Sequence, residues 1–138
     1  MQPGFFDAEN RLAQLSKLGD PLEVLSCTIP WQEFADLLSA VHEKQRKSSA
    51  GRKPFDALLM FKILVLQTYY NLSDEQVEYQ IRDRLSFMRF LGLAIEDPVP
   101  DAKTVWVFRE RLKALGLVER LFSRFAAVLA AQGYEARQ

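Results

Sequence analysis

Between Ala102 and Leu115 the chain carries residues whose chemistry suits a nucleic-acid groove. Drawn on a helical wheel, Lys103, Trp106, Val107, Glu110 and Ala114 fall on one side. Val105, Phe108, Leu112 and Leu115 fall on the other, with Arg109, Arg111 and Lys113 on the flanks. An outward Trp and Val beside a Lys are unusual on a helix that meets only water. Lys103 and Thr104 can reach base edges, the lysine favouring guanine, while Trp106 and Val107 can touch thymine methyl groups. Glu110 can accept from cytosine, or simply balance Arg111. Arg82, Arg84, Arg89, Arg109 and Arg111 are candidates for holding phosphates. Arg46, Lys47, Arg52 and Lys53 form a basic arm that can neutralise phosphates or enter a minor groove. The plainer alternative is a solvated surface charge at each base and a solvated loop over Lys44 to Pro54. Trp106 could instead lie on the rim of the core or against a protein partner.

Catalytic chemistry is poorly supplied. Asp83, Glu96, Asp97, Asp101 and Glu110 fall in helices, caps or a proline-rich loop. Glu96 and Asp97 are the best metal pair on offer, but adjacent acids without a third ligand hold a divalent ion weakly. His42 is the single histidine and Cys27 the single cysteine. A histidine metal site therefore lacks ligands, and Cys27 is expected as a buried apolar thiol. No glycine-rich phosphate loop follows a strand pattern. No catalytic residue and no metal ligand is assigned.

The elements that hold these residues read as helices. Asp7 caps a first helix carrying Leu12, Leu15 and Leu18, ended by Gly19. Asp20-Pro21 starts a short second helix that ends near Cys27 or Thr28. Pro30 opens a third, with Trp31, Phe34, Leu37, Leu38 and Val41 at helical spacing. Asp56 to Tyr70 is apolar nearly all round, so it must be covered on most sides and is the expected hub of the core. Asn71 ends it. Ser73 and Gln76 make a capping box, with Val77 and Ile81 inward and Glu75, Tyr79 and Arg82 outward. Ser86 can cap a short helix that Gly92 closes. Pro98 and Pro100 keep the next loop extended. Asp101 caps the helix of the first paragraph, ended by Gly116. A last helix runs from about Val118 to Gln132 with Leu121, Phe122, Phe125, Val128 and Leu129 in its stripe, in line with the 3.6-residue period.

At 138 residues and 49% hydrophobic, with ten Phe and two Trp, the chain can bury a real core and is not of disordered type. The formal net charge is +0, which argues against a strong nucleic-acid binder. The distribution is uneven, however. Acids dominate up to Glu43, and Lys44 to Lys53 holds only bases. A lone cysteine fits a reducing cytoplasm. Met1-Gln2-Pro3-Gly4 lacks the basic start of a signal peptide, and the longest apolar run, Ala57 to Leu66, is too short to span a bilayer.

Several short pieces stand in order along the chain: Gly51-Arg52-Lys53-Pro54-Phe55-Asp56 before an apolar helix, Leu72-Ser73-Asp74-Glu75, Arg84-Leu85-Ser86-Phe87, Phe90-Leu91-Gly92-Leu93, Pro100-Asp101 with Thr104, and Phe108-Arg109-Glu110-Arg111-Leu112. This ordered set resembles the N-terminal region of bacterial insertion-sequence DDE transposases of the InsH-like group. The family often has His and then Ser-Thr-Leu where this chain has Ala102-Lys103-Thr104-Val105-Trp106. The resemblance implies an all-α helical bundle with a helix-turn-helix DNA-binding core. In that expectation residues 1–50 are a helical N-terminal arm and basic linker, and 51–138 are the helix-turn-helix domain. The implied partner is double-stranded DNA at the terminal inverted repeats of the element, with no membrane involved. Cleavage would belong to a strand-rich catalytic domain following residue 138, which would hold Mg²⁺. No cofactor is expected in this chain. The alternatives are a protein-interaction module or homodimer built on Trp106, Val107 and the last helix, and a truncated transposase acting as a regulator.

Overall fold

The computed structural model describes residues 7–47 and 55–133, without the side chains at 8 and 42–47. The described residues form α1 (Asp7–Leu18), α2 (Pro21–Thr28), a 3-10 turn (Trp31–Phe34), α3 (Ala35–Lys47), α4 (Ala57–Tyr70), α5 (Asp74–Asp83), α6 (Leu85–Leu91), α7 (Ala102–Ala114) and α8 (Val118–Ala131). The expected all-α class is the one observed, and no strand occurs among the described residues. None of these helices is long and apolar enough to cross a membrane.

Local chemistry sets most of the boundaries. Asp20 caps α2 by accepting from the Leu22 N–H at 3.0 Å, with Pro21 in the first turn, where its missing N–H costs nothing. Asp56 caps α4 by accepting from Leu59 N–H at 3.1 Å. At the other end Asn71 takes a left-handed conformation (φ 54°), and the Leu72 N–H returns to the Gln67 carbonyl at 2.9 Å. The box between Ser73 and Gln76 closes in both directions, at 2.9 and 3.1 Å.

The start of α6 differs from expectation. Ser86 does not cap it, because the helix begins one residue earlier, at Leu85. Arg84 is a one-residue hinge in extended conformation (φ −111°, ψ 121°). Its N–H closes α5 on the Gln80 carbonyl at 2.9 Å, and its own carbonyl accepts from Met88 N–H at 3.2 Å to open α6. With both backbone groups used, no side-chain cap is required, and the Arg84 side chain is exposed.

α4 is the hub. Ala57, Met60, Phe61, Ile63, Leu64, Val65 and Leu66 are all buried, so it is enclosed by neighbours on most of its circumference. Each fully buried Leu, Ile or Phe contributes about 1.5–3 kcal/mol. Around Phe61 the rings interlock. Phe34 lies at 5.1 Å, Phe122 of α8 at 5.5 Å edge-on, and Phe125 at 6.3 Å. Trp31 touches Phe90 at 5.5 Å and Phe125 at 6.0 Å. Leu22, Leu25 and Ile29 around α2, and Leu37, Leu38 and Val41 of α3, belong to the same buried cluster as Val77, Ile81, Val105, Leu112 and Leu121. The front helices from Pro21 onward are thus walls of the one core.

α1 is attached differently. Leu12 and Leu15 are half-buried and Leu18 is 84% exposed, so its expected apolar stripe covers little. Its hold on the body is polar. The Arg89 guanidinium on α6 donates to the Leu12 carbonyl (3.2 Å), Ser16 Oγ (3.0 Å) and Asp20 Oδ2 (2.7 Å). Cys27, expected buried, is exposed. α2 turns Leu22, Leu25 and Ile29 inward, and position 27 falls off that stripe.

Candidate nucleic-acid interface

α7 is built to be held on one side and open on the other. Asp101 caps it, accepting from Thr104 N–H at 2.8 Å. The otherwise orphaned Ala102 N–H donates to Glu78 Oε1 of α5, also at 2.8 Å. Val105 and Leu112 are fully buried and Phe108 nearly so, which fixes the helix against the core. The opposite side stays wet: Lys103 is exposed, Trp106 is 51% exposed and Val107 37%. Thr104 and Glu110 are half-buried, and Glu110 pairs with Lys113 at 3.0 Å.

The arginines named from sequence are placed in several ways. Arg109 reaches inward. Its two terminal nitrogens donate in parallel to Asp74 Oδ1 and Oδ2, both at 2.8 Å, and one also donates to Gln67 Oε1 at 3.2 Å. The hydrogen bonds from Arg109, opposed by partial burial and helped by Gln67, hold the Asp74 carboxyl below its ordinary range. The same pairing raises Arg109, so both stay charged. Arg89 is engaged with α1 and Asp20, and lies 3.4 Å from Glu23. Arg82 is exposed and pairs with Glu78 at 3.3 Å. Arg111 is half-buried, with one guanidinium nitrogen enclosed and without a hydrogen-bond partner among the described residues. Arg84 is exposed, its guanidinium 5.3 Å over the Phe87 ring. Arg46 and Lys47 sit in the last turn of α3 with side chains outside the description, and Arg52 and Lys53 lie outside the described residues.

Several acids are engaged in structure. Asp97 accepts from Ala94 N–H at 2.8 Å and closes a turn in the loop before α7. Asp20 is buried against Arg89. Among the described residues no three His, Cys, Asp or Glu side chains converge as a metal site would require.

Sequence reasoning missed the partners that orient α7. Those partners are Asp74 and Glu78 of α5 and Gln67 of α4. Each meets α7 only through the tertiary fold. The connection from α6 to α7, residues 92–101, is longer than the roughly three- to four-residue turn of a helix-turn-helix. α7 is therefore supported chiefly by α5 and α4.

No solved structure matches the chain. A family profile described as a transposase domain (DUF772) matches residues 10–111, from within α1 to within α7. On that match, which takes in the hub helix, the α5–α6 hinge and the exposed face of α7 up to Arg111, this chain belongs to the transposase domain (DUF772) family.

Proposed function

We propose that this chain is the DNA-binding domain of a transposase and that it recognises the terminal inverted repeats of an insertion sequence through the outward face of α7. One observation carries the reading: α7 is locked from behind by Val105, Phe108 and Leu112 while Lys103, Trp106 and Val107 remain exposed on its front. A helix about 10–12 Å across fits a major groove about 12 Å wide. In this reading α5 takes the supporting role of a helix-turn-helix and α7 the reading role. Lys103 and Thr104 address base edges, and Trp106 and Val107 address thymine methyls. Arg82, beside the start of α7 through Glu78, addresses the backbone, and Arg46, Lys47, Arg52 and Lys53 serve as the arm. Arg109 and Arg89 act by holding helices, since their guanidinium groups are engaged by the protein.

Strand cleavage, with the Mg²⁺ it uses, belongs in this reading to a separate domain. Asp74, Asp20, Asp97 and Asp101 are spent on Arg109, Arg89, a turn and a helix cap. A cytoplasmic site of action goes with the same reading.

The second reading is a dimerisation module, favoured by the zero net charge and the apolar pair Trp106 and Val107. Titration of a labelled end-derived duplex and a scrambled duplex at two salt concentrations separates the two. DNA recognition gives binding that weakens with salt, prefers the end sequence, and drops about tenfold or more in Lys103→Ala and Trp106→Ala. Salt-insensitive self-association without duplex binding would establish the dimer module instead.

A further inference from the structure

The last turn of α4 and the Arg84 hinge link three aromatic rings and a guanidinium through successive contacts. Tyr69 and Tyr70 lie 4.9 Å apart, centroid to centroid. Tyr70 lies 5.2 Å from Phe87, tilted by 35°. The Arg84 guanidinium sits 5.3 Å from the Phe87 centroid. The series has a rigid floor and open ends: Phe87 is 1% exposed, whereas Tyr69 is 57% exposed and Arg84 is exposed.

Neither end is enclosed by the fold. Tyr69 is not part of the buried cluster. The Arg84 side chain makes no ion pair and no hydrogen bond among the described residues, unlike Arg82, Arg89 and Arg109. Burial first, then Tyr69 and Asp20, push the Tyr70 hydroxyl above its ordinary pKa, against the opposing field of Arg84. It remains a hydrogen-bond donor beside that cation.

A flat ring with a free face, a donor hydroxyl and an unspent guanidinium on one edge match a ligand that joins a flat ring to an anion. We propose that the Tyr69–Tyr70–Arg84 edge is a second nucleic-acid site, taking a short stretch of unpaired DNA with a base stacked on Tyr69 and a phosphate of the same strand on Arg84. Stacking on tyrosine tolerates any base, and the arginine fork suits a phosphate. The site is separate from the α7 face. Tyr69 lies about 200° around α4 from Gln67, the residue that receives Arg109 of α7. A transposase domain with both surfaces would hold a duplex end on one side and a melted strand on another. The proposal rests on the DNA reading of the domain but not on α7.

The test is anisotropy of a labelled thymidine oligonucleotide about ten nucleotides long, within the range of single-strand site sizes, run beside the end-derived duplex. The variants are Tyr69→Leu, Tyr69→Phe, Arg84→Gln and the double Lys103→Ala, Trp106→Ala. Thermal melts verify that these surface variants stay folded. Single-strand binding should fall about tenfold in Tyr69→Leu and stay near wild type in Tyr69→Phe. In Arg84→Gln its salt slope should drop by about one. Duplex affinity should be unchanged in both Tyr69 variants, and the double variant should show the reverse pattern. Unaltered single-strand binding in Tyr69→Leu, or none in the wild type, overturns the proposal. So does self-association that Tyr69→Leu abolishes. Tyr69-dependent strand binding with no duplex binding keeps this site and discards the α7 reading.

Discussion

Arg109 and Asp74 meet through two parallel 2.8 Å hydrogen bonds that join the middle of α7 to the first turn of α5. The planar guanidinium fits both carboxylate oxygens at once, so the contact fixes the rotation of α7 about its own axis as well as its distance from α5. Rotation decides which side chains face outward. The pair therefore sets the direction in which Lys103 and Trp106 point.

Loss of this pair should cost stability in a pH-dependent way. Asp74 has its folded value held below the ordinary 3.8. Its contribution is thus fully present above the unfolded value and is lost as pH falls through the lower, folded one. Arg109→Ala should lower unfolding free energy at pH 7 by about 1.5–3 kcal/mol. Asp74→Asn should flatten the acid limb of the stability curve below pH 4. Arg109→Lys should rescue poorly, because an ammonium cannot bond both oxygens in the same plane. Urea melts across pH test this, and an unchanged acid limb in Asp74→Asn would count against the pair.

Arg89 should govern the docking of α1 alone. It supplies three hydrogen bonds to α1 and the cap of α2, where apolar contact is thin. Arg89→Ala should strip amide-exchange protection from residues 7–18 while α4 and α7 keep theirs. Retained protection in α1 would mean that Leu12 and Leu15 suffice.

Lys62 is a liability in the hub. Its ammonium lies 4.9 Å from the Trp31 ring and 5.5 Å from the Phe90 ring and donates to the Phe90 carbonyl at 3.3 Å. Burial nevertheless pushes its pKa down from 10.5, against the pull of Asp56. A lowered lysine favours the unfolded state while charged, so wild-type stability gains as pH rises from the folded value toward 10.5. Lys62→Met should be neutral or stabilising at pH 7, within about 1 kcal/mol, and should lack that alkaline gain. A loss above about 2 kcal/mol in thermal melts would show that the cation–aromatic contacts outweigh desolvation.

Most helices and caps were legible because their determinants are local. Asp20-Pro21, the Ser73–Gln76 box and Asp101 are signals spanning a few residues, and each closes as read. The all-round apolar pattern of α4 likewise identified the hub. What could not be read were pairings set by tertiary approach. Arg109, expected at a phosphate, is drawn to Asp74 across 35 residues of chain, and Arg89 to Ser16 across 73. Wheel position says that an arginine lies on a flank, but not which neighbour will claim it. Cys27 was misjudged because thiols are buried on average, whereas the short α2 has room for only one inward stripe. At the candidate site the exposed front of Trp106 and Lys103 followed from periodicity. The Tyr69–Phe87–Arg84 series depends on a hinge that no spacing rule announces.

The family match closes at residue 111, whereas Phe122 and Phe125 of α8 lie over Phe61, Phe34 and Trp31, and Arg124 reaches the Glu33 carbonyl at 3.0 Å. A piece trimmed to the matched region would keep the exposed front of α7 and lose its roof. It would present an oily aromatic floor to water and clump. Insolubility of such a piece would then be a fault of carpentry, with no bearing on what the domain recognises.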